Sequence, residues 1–113
     1  MKTLAEKMEE LAEKGKVGKI IKIASTSKKQ EERVAAIDAM RLLKEEETVR
    51  CCIEFLKEEE TVIRKAAANT LDRIATKRET DKLVHYANNE GDSEIAEILR
   101  KAAINSKDRT PRW

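Results

Sequence analysis

Apolar residues recur along this chain at steps of three and four, and seven stretches carry that helical period. The sharpest is 60–75, ETVIRKAAANTLDRIA, where Ile63, Ala66, Ala67, Thr70, Leu71 and Ile74 share one face. Alanines on that face admit a neighbouring helix at close range. Upstream, Leu4, Met8, Leu11 and Ala12 stripe a first helix, which Thr3 and Glu6 can open as a capping box. Gly15 closes it in a left-handed conformation. A second helix follows over about 16–25, through Val17, Ile20, Ile21 and Ala24. Ser27 and Gln30 again match the capping box, ahead of a third helix over about 29–45. That helix is apolar around most of its circumference and needs neighbours on several sides.

The heptapeptide LKEEETV occurs at 43–49 and again at 56–62. Each copy reads as a helix end, an acidic turn favourable to a helix N-terminus, and the start of the next helix at threonine-valine. The fourth helix lies between the copies and buries Val49, Cys52, Ile53 and Leu56, with Phe55 beside them. Thr76 and Glu79 form a third capping-box match, opening a sixth helix whose Leu83, Val84 and Ala87 face inward, with Tyr86 alongside. Gly91 ends it, and Asp92 caps a seventh helix burying Ile95, Ile98, Leu99 and Ala102. Residues 106–113 lose the periodicity and, with Pro111, are expected to form a mobile tail whose deletion leaves the melting temperature unchanged.

Overlaying the helices reveals a repeat. A shift of 32 residues sets Val17, Ile20 and Ile21 on Val49, Cys52 and Ile53; a further 31 reaches Leu83 and Val84. For the alternate helices, a shift of 31 sets Arg33, Ala35, Ala36, Met40 and Leu43 on Arg64, Ala66, Ala67, Leu71 and Ile74. Three helix-turn-helix units follow, at about 16–46, 47–76 and 77–105, in a single domain over 1–105 that begins with an extra N-terminal capping helix. One such unit cannot bury its own apolar face, whereas stacked units share a core.

Composition agrees with an all-α chain and narrows its chemistry. Of 113 residues, 41% are charged and only 3% aromatic, with three glycines and one proline to interrupt helix. The chain can therefore bury a modest, alanine-rich core. No apolar run reaches the ~20 residues of a membrane span and no signal-peptide pattern opens the chain, so a cytoplasmic protein is expected. Heavy use of glutamate and lysine beside a single glutamine resembles the bias of thermophilic or archaeal proteins. Cys51 and Cys52 are adjacent, so their side chains diverge along a helix and read as two reduced thiols. With His85 the only histidine, no metal site, cofactor or catalytic group is expected, and the chain is read as non-enzymatic. His85, four residues from both Asp81 and Asn89, suits a surface ion pair.

Charge is segregated. Residues 1–30 carry a net charge of +4, residues 31–60 a net of −5, and residues 61–113 a net of +3. Basic ends around an acidic middle suit a protein partner or self-association better than a phosphate backbone, which favours a continuous positive track. Nucleic-acid binding through Lys14, Lys16, Lys19 and Lys22, or through the tail, is the alternative reading.

The run Val62-Ile63-Arg64-Lys65-Ala66-Ala67, followed by Leu71 and Ile74, resembles the HEAT-repeat family in its short form. Arg33-Val34-Ala35-Ala36 with Met40 and Leu43 resembles it as well. The likeness covers about residues 16–104 and implies a right-handed α-α superhelix, a solenoid whose second helices line the concave side. It also implies a structural arginine early in each second helix that bonds to the neighbouring unit, a role carried to Arg33 and Arg64. Ala96 stands at that place in the third unit, so the ladder should end there. The family's usual proline in the first helix and aspartate in the turn are absent. A binding scaffold is implied, with no particular partner. On the ridge of second helices the outward positions are Val34, Ile37, Asp38 and Arg41, then Lys65, Ala68, Asn69 and Asp72, then Glu97, Arg100, Lys101 and Ile104. Val34 and Ile37 need either cover from the first helix or a partner. Asp38, Arg41, Lys65, Asn69, Asp72 and Lys101 are the expected partner-binding residues, with Arg41 the leading hot spot.

Overall fold

A computed structural model describes residues 1–113 as seven α-helices with no strand. They are α1 (Leu4–Glu13), α2 (Val17–Thr26), α3 (Gln30–Ala39), α4 (Glu46–Phe55), α5 (Thr61–Ile74), α6 (Thr80–Asn89) and α7 (Ser93–Ser106). Helices α2 and α3, α4 and α5, and α6 and α7 pack as pairs. Along one layer α1 packs on α3, α3 on α5 and α5 on α7; the other layer comprises α2, α4 and α6, in looser mutual contact. Helix α1 thus takes the place of a second helix ahead of the first full pair.

Local chemistry sets several boundaries. Glu6 N–H donates to Thr3 Oγ1 at 3.1 Å, and the Glu6 carboxylate accepts from Thr3 N–H at 3.0 Å, so the expected capping box opens α1. At its other end Gly15 has φ +71°, with Gly15 N–H on the Ala12 carbonyl at 2.9 Å and Lys16 N–H on that of Leu11 at 3.0 Å. That pair of bonds is a Schellman turn, and the positive φ is what glycine supplies. Asp92 caps α7 by accepting from Ile95 N–H at 3.1 Å.

Other boundaries differ from expectation. Ser27 does not cap α3: its hydroxyl donates to Glu32 at 2.6 Å, and Lys29 is the N-cap. Helix α3 ends at Ala39 and tightens into a 3-10 turn over Met40–Leu42, rather than running on to residue 45. The fully buried Thr48 hydroxyl bonds the Leu43 carbonyl, satisfying a group that a longer helix would have oriented elsewhere. Thr76 accepts from Arg78 N–H at 3.3 Å and gives Glu79 its own N–H at 2.7 Å, which builds a turn, and α6 starts later, at Thr80.

A single core of aliphatic and alanine side chains runs through the stack. Ala66, Ala67 and Ala68 of α5 are all buried, and Thr70 Oγ1 donates to the Ile37 carbonyl of α3 at 3.0 Å across the helix interface. Ile37 and Ala68, expected to face outward, are fully buried, whereas Arg100 at the matching position of α7 is exposed. The next helix of the layer covers that position, and α7 has none after it. Val34 is half-buried near α1. The same end effect leaves Val84, expected inward, 45% exposed, although the matching Ile53 is buried.

The segment after Asn105 makes contacts that its lost periodicity hid. Ser106 is buried and shares a hydrogen bond of 2.6 Å with Thr80. Lys77 N–H donates to the Arg109 carbonyl at 2.9 Å, and the Arg109 guanidinium returns a bond to the Ala75 carbonyl at 3.2 Å. Trp113 is half-buried against the core beside Val49 and Ile53 of α4. An indole, one backbone bond and one guanidinium bond are enough to hold an extended segment without helical period.

Two stability predictions follow from this packing. Ala67→Leu enlarges a fully buried side chain at a helix contact and should cost about 1–3 kcal/mol, whereas Lys65→Ala should cost under about 0.5 kcal/mol in thermal denaturation. Equal melting of the two would place the buried face of α5 elsewhere. Removing residues 109–113 should lower stability by about 1–3 kcal/mol, through the lost indole burial and loop bonds. An unchanged melting temperature would mean that the segment contributes nothing.

Candidate functional site

The outward edge of α3, α5 and α7 carries the expected ridge residues. Asp38, Arg41, Asn69, Asp72 and Lys101 line one depression of about 470 Å³ with Thr70 and Arg73, and no hydrophobic residue lines it. Lys65 lies outside it and pairs with Glu94 of α7. A second groove, of about 460 Å³, adjoins the first at Asp38 and Arg41; Ala5, Val34, Ala35 and Val62 give it apolar walls. Together they form a concave strip, polar at one end and half apolar at the other.

Most charged groups on this strip already have partners. Arg41 bonds Glu9 of α1 through one guanidinium nitrogen and the Asp38 carbonyl through another, the latter at 2.8 Å. Asp72 accepts from Asn105 at 2.7 Å and has Lys101 at 3.6 Å, both on α7. Arg41, Lys65, Asp72 and Lys101 therefore join adjacent helices of the layer as well as facing solvent. Partial desolvation by its neighbours pushes the carboxyl of exposed Asp38 up from its ordinary range, with Arg41 opposing in part. Arg73 was not among the sequence candidates. It follows Asp72 near the end of α5, is exposed, and has no carboxylate within 4.0 Å. Only its charge, beside an outward position, could have signalled it.

Arg33 and Arg64 sit on another edge, where the turns lie. Arg33 Nε donates to the Ala24 carbonyl of its own pair at 2.7 Å, and its NH2 reaches Glu58 of the next pair at 2.8 Å. The same guanidinium lies over Phe55, 5.8 Å from the ring centre. Arg64 bonds the Glu58 and Glu59 carbonyls at 3.1 and 2.8 Å and forks onto Glu90 of the third pair at 3.0 and 3.1 Å. Glu58 thus accepts one arginine on its side chain and the next on its backbone. Ala96, buried, stands in the third pair and adds no rung.

The cysteines and His85 line neither groove of the strip. Cys52 is fully buried with its thiol 3.8 Å from Met40 Sδ, and burial raises both cysteine pKa values, which disfavours thiolate. Exposed His85 stacks edge-on with Tyr86, and its neighbour Asn89 donates to the His85 carbonyl at 2.8 Å; Asp81 is not its partner. No group of three metal-ligating side chains gathers anywhere, and no helix is long and apolar enough to cross a membrane.

The Glu90 pair should show itself in acid. Burial pushes the Glu90 carboxyl up, but Arg64 and the Asp92 N–H outweigh it and hold the group below its ordinary 4.5. A carboxyl depressed in the folded state stabilises fully above its unfolded value and loses that contribution as pH falls through the folded one. Glu90→Gln should cost about 2 kcal/mol near pH 7 and progressively less below about pH 4. A cost independent of pH in urea titrations would remove the ion pair from the account.

A family model described as HEAT repeats matches residues 17–108. No curated protein and no solved structure matches the chain.

Proposed function

The chain belongs to the HEAT-repeat family, and from that footing we propose that it is a non-catalytic scaffold that binds a protein partner along its ridge of second helices. Proteins of this family generally mediate protein–protein interaction. The observation that carries the reading is the continuous concave strip, in which Val34 and Val62 adjoin Asp38, Arg41, Asn69 and Asp72. Val62 is 47% exposed on a helix whose other aliphatic side chains are buried. An apolar patch bordered by fixed polar groups is how a protein surface combines area with specificity. Stacked helices hold those groups at set spacings without ordering a loop on binding. Two free cysteines suit a reducing, cytoplasmic setting.

Arg41 is a poor residue with which to test this, because its loss also frees Glu9 of α1. Asn69 is exposed, lines the strip and forms no internal side-chain bond. A photo-crosslinking phenylalanine analogue at position 69 should capture a discrete protein from native extract, while one at His85, on the opposite layer, should not. Asn69→Arg should then weaken the purified partner by about 1–2 kcal/mol with folding unchanged. Capture at 85 and not at 69, or capture of nucleic acid at 69, would refute the reading.

A further inference from the structure

Beyond the end of the polar depression, the chain turn after the 3-10 segment, the last turn of α5 and the C-terminal segment meet. Arg41, Lys44, Arg73 and Arg112 converge there on a cleft of about 590 Å³, with Leu42, Leu43 and Trp113 as its apolar elements and Glu45 the one acid on its rim. Arg41 is neutralised by Glu9. Lys44, Arg73 and Arg112 have no carboxylate within 4.0 Å and make no internal hydrogen bond from their side chains. Elsewhere four arginines each pair with a glutamate: Arg33 with Glu58, Arg50 with Glu46, Arg64 with Glu90, Arg100 with Glu97. Three unpaired cations facing one concavity repel one another, and a bound anion relieves that repulsion.

We infer that this basic cleft takes an acidic segment of a protein partner, with carboxylates on Arg73 and Arg112 and an apolar side chain beside them against Trp113. This rests on the scaffold reading and deepens it, since Arg41 and Arg73 line both the cleft and the polar depression of the ridge. The ligand follows from the surroundings. Guanidinium groups fork onto carboxylates in two parallel bonds, and a half-buried indole favours an apolar neighbour. A nucleic-acid backbone fits less well: the cations form a pocket and not a continuous track.

The test uses the whole chain and a fluorescein-labelled ten-residue peptide of eight glutamates around two leucines. A lysine-for-glutamate peptide and a ten-nucleotide oligothymidine serve as comparisons. The acidic peptide should bind and shift the emission of Trp113, the chain's single tryptophan. The double variant R73E/R112E should weaken it at least tenfold while circular dichroism and melting stay as in the parent, because neither side chain holds the fold. Binding no tighter than that of the lysine peptide, binding that survives the double variant, or tighter binding of oligothymidine would each overturn the inference. The ridge reading is separable: if Asn69→Arg weakens binding of the purified native partner while R73E/R112E does not, the ridge stands and the cleft falls.

Discussion

Everything in this molecule depends on α5 being covered from both sides. Its face is built from Ile63, three successive alanines and Leu71, all buried, with α3 on one flank and α7 on the other. A lone helix pair would leave such a face in water, and the small side chains that allow close approach would then bury little. Stacking makes the alanines useful, and it also places Thr70 within bonding distance of a carbonyl on the neighbouring helix. Arg33 and Arg64 add direction to this packing. Each spans from its own turn to an acid of the following pair, so the stack is tied at its turns as well as packed at its centre. A tie of this kind fixes relative helix positions more than it adds stability, because a partly buried ion pair offsets much of its own desolvation.

A stack tied in this way also presents its outer groups at fixed positions. The ridge of α3, α5 and α7 has few unpaired charges: Asp72 is held by α7, and Arg41 by α1. Side chains fixed in this way lose little freedom on meeting a partner. Lys44, Arg73 and Arg112 stand unpaired around the cleft beside Trp113. Ridge and cleft share Arg41 and Arg73, so one extended segment could lie along both.

How much of this could be read from residues alone differs by the range of the interaction. The seven helices, the thirty-odd-residue period and the buried face of α5 were legible, because burial repeats at helical spacing whatever the neighbours are. The two copies of LKEEETV show where that ends. Thr48 and Val49 are buried in the first copy, while Thr61 and Val62 are exposed in the second. Identical residues behave differently because the first copy leads into the α2–α4–α6 layer and the second into the α1–α3–α5–α7 layer. Ile37 and Ala68 were misplaced for a related reason, since their cover comes from another repeat. The C-terminal segment was illegible: a single backbone bond from 77 to 109 leaves no periodic trace. At the candidate site the ridge positions were found, but the ion pairs that occupy them, and the cations of Arg73 and Arg112, depend on which turns the fold brings together.

The most direct measurement of the central claim is native-state hydrogen exchange across the chain. If α5 is covered by both neighbours and tied through Arg33 and Arg64, amides of residues 66–71 should exchange only through global unfolding, at the free energy obtained from urea denaturation. The outer helices α1 and α6 should open at lower free energies. Protection of residues 66–71 that falls below that of α1 or α6 would contradict a stack organised around α5, and with it the rigid ridge on which the proposed function rests.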